Sequence, residues 1–344
     1  MMKSFYNCNF FEKQFEVEDK FSVRQQQLVL KTRHSDGKTT FKKLDVVYDC
    51  QWKEQSDWSS SKPTLIIPTK DQQDLVSFTI SNLKQNNIDV HCNIIIIDDR
   101  STEDIEKLAS DAGFSYLRVD NEIGFNFSML NNIAMKICDS LGTKEAILWN
   151  SDLWIAKEEY LLEILKRHRE ENSTVSGAKL LYPPAEMSLE DTETDNIKRH
   201  FPHMVGKQWR ETVQFGGDSW LLTANSPVAF SPLHYRRFSK HTDPRVNCDR
   251  GVCFTTGAFQ LWDISKFIEL GGLNPSLAKN FQDVDICLKA ISNDMVPMYF
   301  GKDLFFYHDE SPTLLKEGKE DIQLTSDCIL FGKIWNDLLP TMVV

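Results

Sequence analysis

TLIIPTKDQQDLVSFTISNLKQNNIDVHCNIIIIDD, residues 64–99, holds two apolar runs, TLIIPT (64–69) and CNIIIIDD (92–99), separated by QDLVSFTISNLKQN (73–86). The second run is too short for a helix and rich in β-branched residues, so the stretch reads strand, helix, strand. Such alternation builds a parallel sheet covered by helices. The scheme continues with SYLRVD (115–120) as a strand, SMLNNIAMKICDSL (128–141) as a helix and EAILWNSD (145–152) as another strand. In open sheets of this kind ligands bind beyond the carboxyl ends of the strands. Pro68-Thr69, Asp98-Asp99 and Asn150-Ser151-Asp152 are therefore expected to converge on one crevice.

Asp152 ends an apolar run and is followed by more apolar residues, with no lysine or arginine adjacent. A carboxylate there is costly to desolvate without a positive partner. A crevice lined by Asp98, Asp99 and Asp152 can hold a hard divalent cation, which in turn would bind a diphosphate that the chain's own charge repels. The alternative is that each aspartate caps the helix after it. TLIIPTKDQQD contains no glycine, which excludes the G-x-G-x-x-G nicotinamide fingerprint, and a P-loop is equally absent.

Outward from this core, EEYLLEILKRHREE (158–171) reads as a helix and VSGAKLLYP (175–183) as a strand. Residues 184–212 are polar with little periodicity and read as a loop or insertion. Residues 1–60 form an N-terminal extension, in which QLVLKTR and TTFKKLDVVYD flank HSDGK; Asp36-Gly37 suits a tight turn, so a small antiparallel β appendage is expected. The serine-rich segment 51–63 reads as a linker to a main domain over 61–311, with a first half at 61–155 and a second at 156–311, followed by a C-terminal helical tail at 312–344.

The chain of 344 residues is 41% hydrophobic, enough for a full core, and its formal net charge of −11 gives no general attraction to nucleic acid or to acidic membranes. Eight cysteines lie without a C-x-x-C pair, and even the nearest two, Cys248 and Cys253, read as reduced thiols more readily than as a metal or redox site. No stretch reaches the ~18 apolar residues of a membrane span, and the amino terminus lacks a secretory apolar run. The expectation is a cytoplasmic protein of unassigned oligomeric state.

Taken in order, the strand ending in Pro68-Thr69, IIIIDDRST, GFNFSMLNNIA, LWNSD, GAKLLYP, TGAFQLW, GGLN, FQDVDICLK and YHDES resemble the family 2 glycosyltransferases, over about residues 63–311. The resemblance implies an α/β fold of the GT-A type, a Rossmann-like nucleotide-diphospho-sugar transferase domain. It implies that Asp98 binds the nucleotide base, that Thr69 and Asp71 meet the nucleoside, and that Pro68, Asp99, Arg100, Ser128, Asn132, Asn150 and Ser151 complete the nucleotide-sugar site. It places Asp152 at the last acid of the metal-binding DXD motif and His308 at a histidine that completes the site around Mn2+ or Mg2+. Asp283 matches the catalytic base, and Asp285 reads as a helix-start residue.

Two departures stand out: the DXD position reads Asn150-Ser151-Asp152, and the pair that is usually Glu-Asp reads Gln282-Asp283, a neighbour that cannot share charge and so leaves Asp283 easier to ionise than in the usual pair. Trp220, Trp262, Phe281 and Gln282 are candidates for acceptor contact, each aromatic with a competing reading as core. The basic segment HYRRFSKHTDPR (234–245) reads either as a flap over the diphosphate or as a solvated loop. The expected function is inverting, metal-dependent transfer of a sugar from a UDP- or dTDP-linked donor to a hydroxyl of a glycan or other acceptor. Its rivals are a nucleotidyltransferase, whose glycine-rich basic signature is missing, and a non-catalytic nucleotide-sugar or glycan-binding protein that lost activity through Asn150 and Gln282.

Overall fold

The computed structural model describes residues 9–12, 15–33, 39–187, 197, 201–223, 226–310 and 322–339. An antiparallel hairpin of β1 (Lys20–Arg33) and β2 (Thr39–Lys53) comes first; its expected Asp36-Gly37 turn lies outside the described residues. Then follow β3 (Thr64–Thr69), α1 (Gln73–Gln85), α2 (Ile88–His91), β4 (Asn93–Asp98), α3 (Ile105–Ala112), β5 (Ser115–Asp120), α4 (Phe127–Ser140) and β6 (Glu145–Trp149). The remaining elements are β7 (Leu153–Ile155), α5 (Glu158–Glu170), β8 (Val175–Ala178), β9 (Leu180–Leu181), β10 (Val213–Phe215), β11 (Asp218–Leu222) and β12 (Phe230–His234). The chain continues through β13 (Asp249–Gly251), β14 (Phe259–Asp263), α6 (Ile264–Glu269), α7 (Gln282–Ile291), β15 (Met298–Phe300), β16 (Phe306–His308) and α8 (Ile322–Trp335).

The main sheet runs β1-β2-β5-β4-β3-β6-β14-β8-β15-β13. Its four central strands, β5, β4, β3 and β6, are parallel, and every residue of β3 and β4 is buried, as a sheet covered on both faces requires. From β3 the chain steps outward to β4 and β5, then returns to place β6 on the other side of β3. That reversal opens a crevice at the carboxyl ends of β3 and β6, where the first loops must splay apart. Pairing of β3 with β6 ends at Ile66 and Leu148, so Pro68 sits past the last rung on that side.

The hairpin joins the main sheet: β2 pairs antiparallel with β5, from Asp49 opposite Asp120 to Lys53 opposite Tyr116. Val46, Tyr48, Cys50 and Trp52 alternate onto the buried face. Strand β2 thus continues through Gln51–Lys53, and the linker expected from residue 51 begins only after it.

The strand expected at 175–183 is divided at Lys179, where β8 stays in the main sheet and β9 enters a second sheet of order β10-β9-β16-β7. Lys179 is buried there because its ammonium donates to His241 O at 3.0 Å, Asn247 Oδ1 at 2.8 Å and Gly301 O at 2.7 Å. Within the described part of 184–212, Trp209 is buried against Tyr182 and is no solvated loop residue. Among the described residues no helix is long and apolar enough to cross a membrane.

Candidate active site

The carboxyl ends of β3 and β4 are tied into one wall. Asp98, at the end of β4, accepts from Ser101 N–H at 2.7 Å, Tyr116 OH at 2.6 Å and Arg118 Nη1 at 3.2 Å. Burial, and then Asp98 itself, push the Tyr116 phenol above its ordinary range, so this proton stays on the tyrosine. Thr69 ends β3, and the next loop turns through Asp71 and Gln72 in left-handed backbone. Asp71 N–H donates to Ser101 Oγ at 2.7 Å, and its carboxylate accepts from Thr102 N–H at 2.8 Å. Asp99 is buried, held by Arg100 Nε and Asn121 Nδ2, each at 3.1 Å, with Lys70 Nζ at 3.8 Å. Arg100 also reaches Asn121 O.

Opposite this wall, β6 ends at Trp149 and the chain reverses through Asn150-Ser151-Asp152 into β7. Strand β16 pairs with β7, setting His308 opposite Leu153, and Asp309 N–H donates to Asp152 O at 3.0 Å. Asp152 and His308 are 8% and 6% exposed, and His308 Nε2 lies 3.3 Å from Asp152 Oδ1. Burial alone would push this imidazole down; Asp152, then Glu310 and Asp309, outweigh it and the net shift is upward. His308 Nδ1 is buried without a hydrogen-bond partner among the described residues. A divalent cation whose other ligands come from a diphosphate could be held by Asp152 Oδ1 and, in its neutral form, His308 Nε2.

The three-aspartate cation site expected from the strand ends does not form. Asp98 and Asp99 are turned into the hydrogen bonds of their own wall, and no group of three or more His, Cys, Asp or Glu side chains among the described residues is arranged to hold a metal.

Asp283 lies in the first turn of α7. Its Oδ2 accepts from Gly257 N–H at 2.7 Å and its Oδ1 from Val284 N–H at 2.9 Å. Burial raises its pKa above the ordinary carboxylate value, and these backbone bonds only partly oppose the rise. Gln282 places no charge beside it, yet desolvation still makes ionisation harder than in water. Gly257 lies close against it: a Cβ there would stand 3.2 Å from Asp283 Cβ and press on the base candidate. The neighbouring Ala258 O accepts from Asn150 N–H at 3.1 Å, so one short turn touches both the base candidate and the DXD segment.

Several candidates serve the scaffold instead. Ser128 Oγ donates to Leu277 O; Asn132 donates to Leu273 O at 2.8 Å and accepts from Leu273 N–H at 2.9 Å. Both are fully buried, which corrects their assignment to the nucleotide-sugar site: Asn132 holds α4 against Leu273 of the GGLN segment and Ser128 holds it against Leu277, three residues beyond that segment. Trp262 is likewise enclosed, edge-on to Phe267 and bonded to Gln260 Oε1 at 3.1 Å, and offers no face to an acceptor. Phe281 stacks on Phe331 with centroids 4.7 Å apart. Trp220 remains partly exposed on β11 against Phe254, and Gln282 is buried with Oε1 lacking a hydrogen-bond partner among the described residues. Asp285 is fully buried, paired with Lys289 Nζ at 2.9 Å and Trp335 Nε1 at 2.9 Å, as a structural residue would be.

The basic segment is neither a detached flap nor a solvated loop. Arg237 donates to Glu310 Oε2 at 2.8 Å and to Tyr182 OH at 2.6 Å, while Arg236 and Arg245 both pair with Asp243. Burial would raise the Glu310 pKa, but Arg237 dominates and brings it down to about 2. The Arg237–Glu310 pair thereby anchors the chain two residues beyond His308. Cys248 and Cys253 form no disulfide; the Cys248 thiol meets Arg250 Nη1 at 3.1 Å. Sequence reasoning missed Tyr116, Arg118 and the Arg237–Glu310 pair because each acts on a residue distant in the chain.

No family model matches the sequence, and no curated protein matches it. Solved structures do. The structure of GalNAc-T7 with UDP, GalNAc and Mn2+ is similar with a TM-score of 0.50 and 11% identity, covering 72% of this chain and 44% of that one, so the chain spans less than half of that protein. S. aureus TarS 1–349 in complex with UDP-GlcNAc is similar at a TM-score of 0.44 and 13% identity, covering 72% of this chain and 58% of that one. The strand order with its switch point beside β3, the motifs at the carboxyl strand ends and the GalNAc-T7 likeness agree: the chain has the GT-A fold of the nucleotide-diphospho-sugar glycosyltransferases.

Proposed function

We propose that this chain is an inverting, divalent-metal-dependent glycosyltransferase that moves a sugar from a UDP- or dTDP-linked donor to a hydroxyl of a glycan or other acceptor. The observation that carries the reading is the Gly257–Ala258 turn, whose Gly257 N–H donates to Asp283 and whose Ala258 carbonyl accepts from Asn150 N–H. The carboxylate proposed as the base and the segment that leads into the proposed cation ligand Asp152 are thereby bonded to one short turn.

In this reading the wall built on Thr69, Asp71, Asp98 and Arg100 receives the nucleoside. The acceptor oxygen attacks the anomeric carbon, its proton passes to an Asp283 carboxylate oxygen, and the bond to the diphosphate breaks in the same displacement. A carboxylate whose pKa is raised is, once ionised, a stronger base than a solvated one. Asp152 and His308 would hold Mn2+ or Mg2+, which offsets the negative charge that develops on the leaving diphosphate. The GalNAc-T7 structure was solved with UDP and Mn2+, which supports both donor class and cation.

Calorimetry of UDP with the full chain tests the donor half. UDP affinity should rise when manganese is added, and Asp152→Ala should abolish the gain. Equal affinity with and without metal in the wild-type chain contradicts the reading.

A further inference from the structure

Helix α8 lies beyond the motifs that mark the site, yet three of its side chains end on the turn that delivers Asp283. Asp327 is fully buried, and its carboxylate accepts from three consecutive backbone N–H groups: Ala278 at 3.3 Å, Lys279 at 2.8 Å and Asn280 at 2.9 Å. Four residues on, Phe331 stacks on Phe281 with ring planes 20° apart. Four further on, Trp335 Nε1 donates to Asp285 Oδ1 at 2.9 Å. The 327, 331, 335 spacing sets all three on one stripe of the helix.

The same turn is gripped from its other side by α4, where Phe127 N–H donates to Ala278 O at 2.8 Å and Ser128 Oγ to Leu277 O. Between the two grips, Phe281 takes a left-handed backbone, φ 63°, immediately before Gln282-Asp283. A bulky residue holds that conformation only where its surroundings enforce it. Helix α8 also reaches the β11–β12 connection: Asn336 Oδ1 accepts from Ala229 N–H at 2.9 Å and its Nδ2 donates to Pro227 O at 2.8 Å. Gly332 permits this contact, since a Cβ there would lie 1.9 Å from Pro227 O.

We propose that α8 is the positioning element for the base, with Asp327, Phe331 and Trp335 holding residues 278–285 so that the Asp283 carboxylate stays on the Gly257 N–H and in line with the acceptor. The proposal rests on Asp283 being the base. None of the three residues touches a reacting atom; they act through the turn. Because a displacement of about 1 Å in a reacting group can cost ~10²-fold in rate, a loosened turn should act on turnover and leave the remote donor wall intact.

The test uses the full chain carrying Asp327→Asn, whose amide can accept from some of the three N–H groups but also opposes its own N–H to them. The expected result is a fall of about 10–100-fold in kcat with donor KM changed less than about twofold. Amide hydrogen exchange should quicken at 278–284 and stay unchanged at 98–102. Wild-type kcat in the folded variant overturns the proposal, as does faster exchange throughout the domain with kcat and donor affinity falling together. Should Asp327→Asn fail to fold, Trp335→Phe keeps a smaller aromatic ring and removes one hydrogen bond; about a threefold or greater loss of kcat with the same local exchange change is expected, and no change in either overturns the proposal. A wild-type chain that transfers sugar from no donor contradicts the base assignment, and the exchange comparison then decides by itself whether α8 holds the turn.

Discussion

Replacing Asp283 by asparagine keeps the side chain's shape and removes its capacity to take a proton. The carboxylate accepts from two N–H groups, Gly257 at 2.7 Å and Val284 at 2.9 Å. The amide has one oxygen, so one of these donors is left facing an NH2 group, at a cost of roughly 1–3 kcal/mol. An opposing change comes from charge. The pKa of Asp283 is raised by desolvation, so its contribution to stability is present below the ordinary carboxylate value and lost as pH rises through the raised one. The neutral amide does not titrate and so does not lose that contribution as pH rises. With the two effects opposed and about 2–4 °C per kcal/mol, the melting temperature should move by no more than about 4 °C. Turnover, by contrast, should fall ~10²–10⁴-fold, equivalent to about 2.7–5.4 kcal/mol of barrier. Initial rates of nucleoside diphosphate release with acceptor, a thermal melt and the UDP dissociation constant separate the effects. Wild-type activity should also climb with pH through the Asp283 pKa, above the ordinary carboxylate range, and the variant's residual rate should lack that limb. Full activity in Asp283→Asn, or loss of UDP binding in parallel with turnover, refutes the reasoning.

Asp285→Asn keeps an acceptor for Trp335 but breaks the buried pair with Lys289, so it should lower the melting temperature and leave turnover within about tenfold of wild type; abolished turnover in a stable Asp285→Asn, with Asp283→Asn active, would reverse the two assignments. Glu310 is held down to about 2 by Arg237 against the opposing effect of burial, so its contribution is present above the ordinary glutamate pKa and lost as pH falls toward that value. In an acid titration followed by circular dichroism, Glu310→Gln should therefore unfold at higher pH than wild type, and coincident curves would contradict the role given to this pair. Gly332→Ala drives a methyl group into Pro227 O and should cost about 1–3 kcal/mol or more, seen as a lower melting temperature; an unchanged melt would mean that α8 and the β11–β12 connection are not packed as described.

The central sheet was legible because β3 and β4 are fully buried: TLIIPT and NIIIID are short runs rich in β-branched residues, as strands covered on both faces are. The neighbouring ends of β3 and β4 followed from the same reading, which sets Thr69 opposite Asp98; the strand order that puts β6 on the other side of β3 did not. What each polar strand end does there was not legible. Asp98 and Asp99 stand at the right place, but whether a carboxylate faces a cation or a neighbouring donor depends on Tyr116, Arg118 and Asn121 across the wall. Ser128 and Asn132 read toward the donor because a helix pattern does not say which backbone groups wait opposite it; peptide groups of Leu277 and Leu273 take them. Trp262 carries no local mark separating an exposed aromatic from a core one. The joining of β2 to β5 is a pairing between distant segments, and Asp327 acts on amides of a loop almost fifty positions away, a kind of contact that leaves no periodicity behind.

The most direct test of the account is a panel of UDP- and dTDP-sugars incubated with the full chain, with and without manganese, followed by assay of released nucleoside diphosphate. The account predicts release from at least one donor that requires the metal, is stimulated by a hydroxyl acceptor and is lost in Asp152→Ala. A folded chain that binds and cleaves no donor under any of these conditions, or one that releases nucleoside diphosphate equally well in Asp152→Ala, would contradict it.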